Sequence, residues 1–131
     1  MPRTSAGEIE LQDFDQVASR ETELADLTVS FLTFRQETDM APILASLPTR
    51  SCQCPHWGVL TVGGATVRYD DGRSEEIGPG DAYYMTAGHV PVFAAGTETV
   101  MFSPTAEMKA TNEAIEAFMA AQQPEDAARG R

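Results

Sequence analysis

The sequence predicts an all-β domain, a sandwich or barrel of short strands, followed by one C-terminal helix. Between residues 27 and 104, runs rich in β-branched and aromatic residues recur every eight to twelve positions, as all-β folds require. Most of the eight prolines and ten glycines fall between residues 42 and 104, so these runs are separated by turns. After Pro104 the apolar spacing changes from two to three and four.

Residues 1–26 are acidic and turn-prone, with Ile9, Leu11, Phe14, Val17 and Leu24 as their main apolar anchors. They read as a loosely attached N-terminal arm with one short strand near Ile9–Phe14. The barrel is expected over residues 27–104, opening with Thr28–Phe34. Residues 37–48 form a connection, with Ile43, Leu44 and Leu47 tucked against the core. Further strands are expected at Trp57–Val62, Ala65–Tyr69, Ser74–Ile77, Ala82–Met85, Val90–Ala94 and Glu98–Phe102. Asp70-Asp71-Gly72-Arg73 supplies the positive-φ positions of a tight hairpin. Asp81 is placed to fix the turn Gly78-Pro79-Gly80-Asp81 through an Asx-type hydrogen bond. The helix spans residues 105–123, with Thr105 as its cap. Met108, Thr111, Ile115, Phe118, Met119 and Gln122 recur on one face, which packs on the barrel or on a second subunit. Residues 124–131 are a tail.

A chain of 131 residues is one domain by length. The formal net charge is −11, with the acidity in the flanks. No basic patch is available to neutralise phosphates, which argues against nucleic acid and against an anionic membrane surface as partners. No apolar run approaches the roughly 20 residues a bilayer span needs, and the N-terminus lacks a basic-then-apolar signal pattern. The expected location is the cytoplasm.

The chemistry concentrates in Ser51-Cys52-Gln53-Cys54-Pro55-His56-Trp57-Gly58, which holds both cysteines and one of the two histidines. An extended segment places Cys52, Cys54 and His56 on one face. Residues i and i+2 of a strand lie roughly 6.5 Å apart, near the upper limit for a disulfide, so free thiols or thiolate ligands are the better reading. With His89, the only other histidine, these residues make a candidate metal set of Cys52, Cys54, His56 and His89. Two thiolates and two imidazoles suit a divalent metal, zinc before iron. The bland alternative is two small half-buried hydrophobes and a hydrogen-bonded histidine. Trp57, Tyr83, Tyr84, Met85, Phe93 and Met101 line a pocket or form plain core. Alternation sends only one of Tyr83 and Tyr84 inward.

The order of these motifs, from about Ser51 to Ser103, resembles the cupin superfamily. Gly63 stands at the closing glycine of the first family motif. Counting back, His56 falls on the family's glutamate position, and Cys52 and Cys54 lie one or two residues from its paired histidines. Gly80 and Gly88 match the glycines of the second motif, with Thr86 where proline is expected. Pro91 holds the metal-binding histidine position, and His89 lies two residues earlier on the same strand parity. The resemblance implies a small double-sheet, jelly-roll-like barrel. Cupins often hold iron or manganese with three histidines and a carboxylate, a set this chain does not supply. The Cys-x-Cys-Pro-His-Trp-Gly run also looks like that of small bacterial cupins. Such proteins pair as homodimers through edge strands, and Val29–Phe34 is the expected interface.

Two functions follow. In the first, the metal serves an isomerase, cyclase or dehydratase acting on a small organic substrate, a dioxygenase being less favoured. His89 is then a ligand or the general base, and Tyr84 orients the substrate. In the second, the barrel is a non-catalytic module that binds a small ligand or a protein, its metal structural or absent. Fold analogy does not choose between them.

Overall fold

In a computed structural model, which describes residues 3–122, two antiparallel sheets face one another. The larger sheet runs β1 (Leu11–Asp13), β2 (Val17–Leu24), β3 (Leu27–Phe34), β10 (Thr97–Pro104), β5 (His56–Val62) and β8 (Ala82–Met85). The smaller runs β4 (Thr38–Asp39), β9 (His89–Phe93), β6 (Ala65–Tyr69) and β7 (Ser74–Ile77). Among the described residues there are two α-helices, a one-turn α1 (Ala41–Leu44) and a long α2 (Thr105–Ala121). This is the predicted double-sheet barrel with a C-terminal helix. No helix among the described residues is long and apolar enough to cross a membrane.

Alternation builds the core. In β6, Ala65, Val67 and Tyr69 are buried, while Thr66 is half-buried and Arg68 exposed. In β9, His89, Pro91 and Phe93 turn inward. Phe34 of β3 stacks on Phe93 of β9 with ring centroids 4.0 Å apart, joining the two sheets. Ile43 and Leu44 are buried, as the sequence suggested, and Gly72 takes φ +92 in the β6–β7 turn. In the turn before β8, the Gly78 amide donates to Asp81 Oδ2 over 2.7 Å.

Three expectations need correction. Residues 1–26 are not a loose arm, because β2 pairs with β3 along its whole length, from Val17↔Phe34 to Leu24↔Leu27. Its inner positions, Val17, Ser19 and Glu21, face a cavity, which is why the strand carries little apolar signal. Consequently Val29–Phe34 is no sheet edge: β3 is flanked by β2 and β10. The free edges are β1, β8, β4 and β7. Finally, Thr105 does not cap α2. Pro104 occupies the N-cap, and the Thr105 hydroxyl instead meets that of Thr28 at 3.0 Å. The predicted tail, 124–131, lies outside the described residues.

Gly58 shows how tightly the β5–β8–β10 region is drawn together. A side-chain carbon at this position would collide with the Val100 carbonyl and with the Tyr83 ring and hydroxyl. The Thr99 hydroxyl donates to the Val59 carbonyl (2.9 Å), so Tyr83 donates to Thr99 Oγ1 over 2.8 Å through the space the glycine leaves. Gly58→Ala is expected to destabilise the protein by about 1–3 kcal/mol, the range for overpacked sites. Urea unfolding of the two proteins checks this, and an unchanged midpoint would show that Tyr83 swings aside freely.

Candidate functional site

The Cys52–Pro55 segment is not an extended strand. Cys52 makes a single bridge with His89, its amide donating to the His89 carbonyl over 2.9 Å. The Gly88 and His89 amides both donate back to the Cys52 carbonyl, at 2.8 and 3.2 Å. Asp70 fastens the preceding residue, accepting from Ser51 Oγ at 3.0 Å. Regular strand begins only at His56. The period-two argument for the cysteines therefore fails, and the loop instead carries Cys52 inward beside His89.

The structure brings three of the four candidate ligands together. One donor atom each from Cys52, His56 and His89 lies within 4.8 Å of the other two. All three side chains are buried, at 2%, 4% and 1% exposure. Cys54 stands outside this group. Its Sγ contacts the Pro55 carbonyl at 3.5 Å and the Pro104 carbonyl at 3.9 Å, away from the imidazoles. Tyr84 is also excluded: it is 50% exposed and stacks on Trp57 on the outer face of the sheet. Its neighbour Tyr83 turns inward, but is spent on Thr99.

The histidines are oriented as ligands would be. His89 Nδ1 lies 2.7 Å from the Thr86 carbonyl, which only accepts, so Nδ1 carries the proton and Nε2 presents a lone pair. His56 Nδ1 meets Ser103 Oγ at 2.7 Å, and a proton on Nδ1 likewise frees Nε2. Such partners on the far nitrogen fix the ring and tautomer of metal-binding histidines. His56 Nε2 stands 3.5 Å from Cys52 Sγ. Two ligands at ordinary zinc distances and a tetrahedral angle stand about 3.6 Å apart. The Cys/His/His donor set thus fits a divalent metal.

Sequence reading missed two groups here. Ser103 belongs to β10, and its hydroxyl position is only visible once His56 is placed. Thr111 of α2 brings its hydroxyl 3.3 Å from Cys52 Sγ. The threonine among apolar helix positions was the available signal, since a plain packing face would not need a hydroxyl.

Burial keeps the cluster uncharged in the metal-free chain. It pushes the Cys52 thiol up, partly offset by the Thr111 hydroxyl and the Cys54 backbone. It pushes His56 down to about 3, with His89 adding to the effect. His89 is lowered by burial too, against the opposing pulls of the Thr86 carbonyl and Asp70. Burial first, then Cys52 and Glu107, raises Cys54 to about 12, so that thiol stays protonated at neutral pH.

The three donors open into a cavity of about 110 Å³ between the barrel and α2. Phe34, Phe93, Met101, Met108 and Ile115 give it largely apolar walls. Its size approaches the roughly 150 Å³ cavity that takes up benzene.

Neither a protein-family model nor a curated protein matches the chain. Solved structures do match. One is the polyketide cyclase RemF from Streptomyces resistomycificus, at 15% identity and TM-score 0.56, covering 80% of each chain. Another is an RmlC-like cupin from Shewanella frigidimarina, at 16% identity and TM-score 0.53, covering 77% of this chain and 88% of that one. A third is oxalate decarboxylase from Lactobacillus farciminis, at 19% identity and TM-score 0.57. There the match covers 80% of this chain but 33% of the enzyme. The fold is that of the cupins. Within it, this chain carries a Cys/His/His cluster that lines a largely apolar cavity.

The histidine environment sets a pH response. His56 titrates near 6.5 when unfolded and near 3 when buried, so the unfolded chain binds the extra proton first as pH falls. Stability of the metal-free protein is therefore full above pH 6.5 and is lost as pH falls from there towards 3. The loss is expected to be on the order of a few kcal/mol. Urea midpoints across this range check it, and midpoints as high at pH 4 as at pH 7 would contradict it.

Proposed function

We propose that this protein is a metal-dependent cupin acting on a small, mainly apolar organic substrate, as an isomerase, cyclase or dehydratase. The observation that carries the reading is the convergence of three buried, neutral donors on one largely apolar cavity. Ligand sites combine an apolar lining with few polar groups in this way. A structural zinc site closes with four protein ligands, whereas three leave a position for water or substrate. The thiol and two imidazoles favour zinc, with iron second.

Cys52, His56 and His89 would hold the metal, which when bound supplies Lewis-acid polarisation of a substrate oxygen or an activated water. Ser103 and the Thr86 carbonyl orient the two rings, and Thr111 supports the cysteine from the helix. The aromatic and methionine walls exclude bulk water and set substrate size. Polyketide cyclase activity in one fold relative, RemF, agrees with an apolar cavity, though the likeness is one of fold. A non-catalytic binding module would need no open metal position, and the three-ligand arrangement disfavours it. Because Cys52 must lose its proton to bind, metal affinity rises with pH.

Elemental analysis of untagged protein purified without chelator tests the reading. About one zinc or iron per chain is expected. Cys52→Ser and His89→Ala should each weaken metal binding by at least about tenfold, while Cys54→Ser should retain it. A metal-free wild type, even after reconstitution under reducing conditions, would falsify the proposal. If the metal is present, a turnover screen of small carbonyl and phenolic compounds separates enzyme from binding module.

A further inference from the structure

The cavity has a second polar pole, opposite in character to the first. Glu21 of β2 lines it, and its carboxylate is held from two sides. Ser30 Oγ donates to Oε2 over 2.7 Å, and Asn112 Nδ2 donates to Oε1 over 3.2 Å. A carboxylate offers about four acceptor positions, so two remain free once these bonds are made. Nothing about packing demands an acid here: the strand's other inner residues in this stretch are Val17 and Ser19. At the opposite pole the His89 side chain, 1% exposed, turns an Nε2 with no hydrogen-bond partner among the described residues into the same cavity.

Helix α2 measures the distance between the poles. Thr111 touches Cys52 Sγ, and the next residue, Asn112, touches Glu21. Successive helical residues point about 100° apart, so the two poles lie on either side of one helical turn. Their separation is then within the roughly 10–12 Å width of a helix with its side chains. A single ring with a substituent at each end spans such a gap and suits a cavity of about 110 Å³. Charge narrows the choice further. Glu21 and Glu116 line the cavity, and no lysine or arginine does so among the described residues. A second anionic group at the Glu21 end would face like charge in a weakly screened space.

Building on the metal reading above, we infer the substrate class. It is a small, mainly apolar molecule of about one ring, with a metal-binding oxygen at one end and a hydroxyl at the other. The hydroxyl donates to Glu21. Glu21 is thus the specificity residue, and molecules with an anionic group at that end are rejected. Glu21 is half-buried, and a site built around such an acceptor favours ligands with the matching donor over those that leave it unpaired.

The test uses the full chain loaded with zinc, its zinc content measured in every sample, and three probes that share one metal-binding end. These are benzoate, 4-hydroxybenzoate and terephthalate, with affinity read by calorimetry. In the wild type, 4-hydroxybenzoate should bind about tenfold more tightly than benzoate, the hydrogen bond to a charged acceptor being the difference. Terephthalate should bind more weakly than benzoate. Glu21→Gln, with zinc content unchanged, should shrink the hydroxyl advantage and raise terephthalate affinity several-fold. If that variant does not fold, the wild-type order of the three probes decides alone. Zinc-loaded wild type that binds benzoate as tightly as 4-hydroxybenzoate, or terephthalate more tightly than benzoate, overturns the assignment of Glu21 and leaves the metal site standing. A wild type that takes up neither zinc nor iron overturns both.

Discussion

Cys52 exchanges backbone hydrogen bonds with His89, and that short bridge ties an irregular loop of one sheet's strand connection to the first residue of β9 in the other. Much of the site depends on it. The bridge sets the loop's height, so that Cys52 Sγ reaches His56 Nε2 on β5 and Thr111 on α2. Gly88 is part of the same arrangement. Its φ of +89 lets its amide turn towards the Cys52 carbonyl, and a side-chain carbon there would sit 2.7 Å from Asp70 Oδ2. Asp70 in turn holds Ser51. A tight hairpin at the end of β6, a left-handed glycine and a one-residue bridge together locate a single sulfur atom.

Most of the barrel could be read from the sequence because its strands obey a simple physical rule. Where one face is core and the other solvent, alternation is visible, as in β6 and β9. The rule failed at β2, where the inner face borders a cavity. Ser19 and Glu21 occupy positions that apolar residues would take in a packed sheet. A strand with polar residues on both faces looks like a loop in one dimension. Its pairing partner, β3, was legible, but the mate that removes β3 from the sheet edge was not.

The site was half legible for a related reason. Rarity of cysteine and histidine in the chain singled out Cys52, His56 and His89 without any structural assumption. The inclusion of Cys54 rested on an extended backbone that the loop does not adopt, and a bridge of one residue leaves no period-two signature. Tyr84 was separated from Tyr83 by alternation, but alternation gives no absolute phase. The phase comes from Gly58, which clears space on the inner side for the Tyr83 hydroxyl. Trp57 and Tyr84 then stack outside.

The features that resist sequence reading are also the ones that bear on chemistry. A packed core would favour apolar residues at positions 21, 30, 103 and 111, since buried polar groups contribute little unless each is paired. Here each one has a partner, and the partners form two groups around one cavity. Ser103 and Thr111 serve the donor cluster, while Ser30 and Asn112 serve Glu21. Both groups use α2, through neighbouring residues. The helix is thus attached to the barrel by polar contacts at Thr105, Thr111 and Asn112, interleaved with the buried Met108 and Met119. Apolar packing alone would leave the rotation of α2 weakly specified. The hydroxyl and amide contacts fix that rotation, and in doing so they fix the spacing of the two poles that a bound molecule must match.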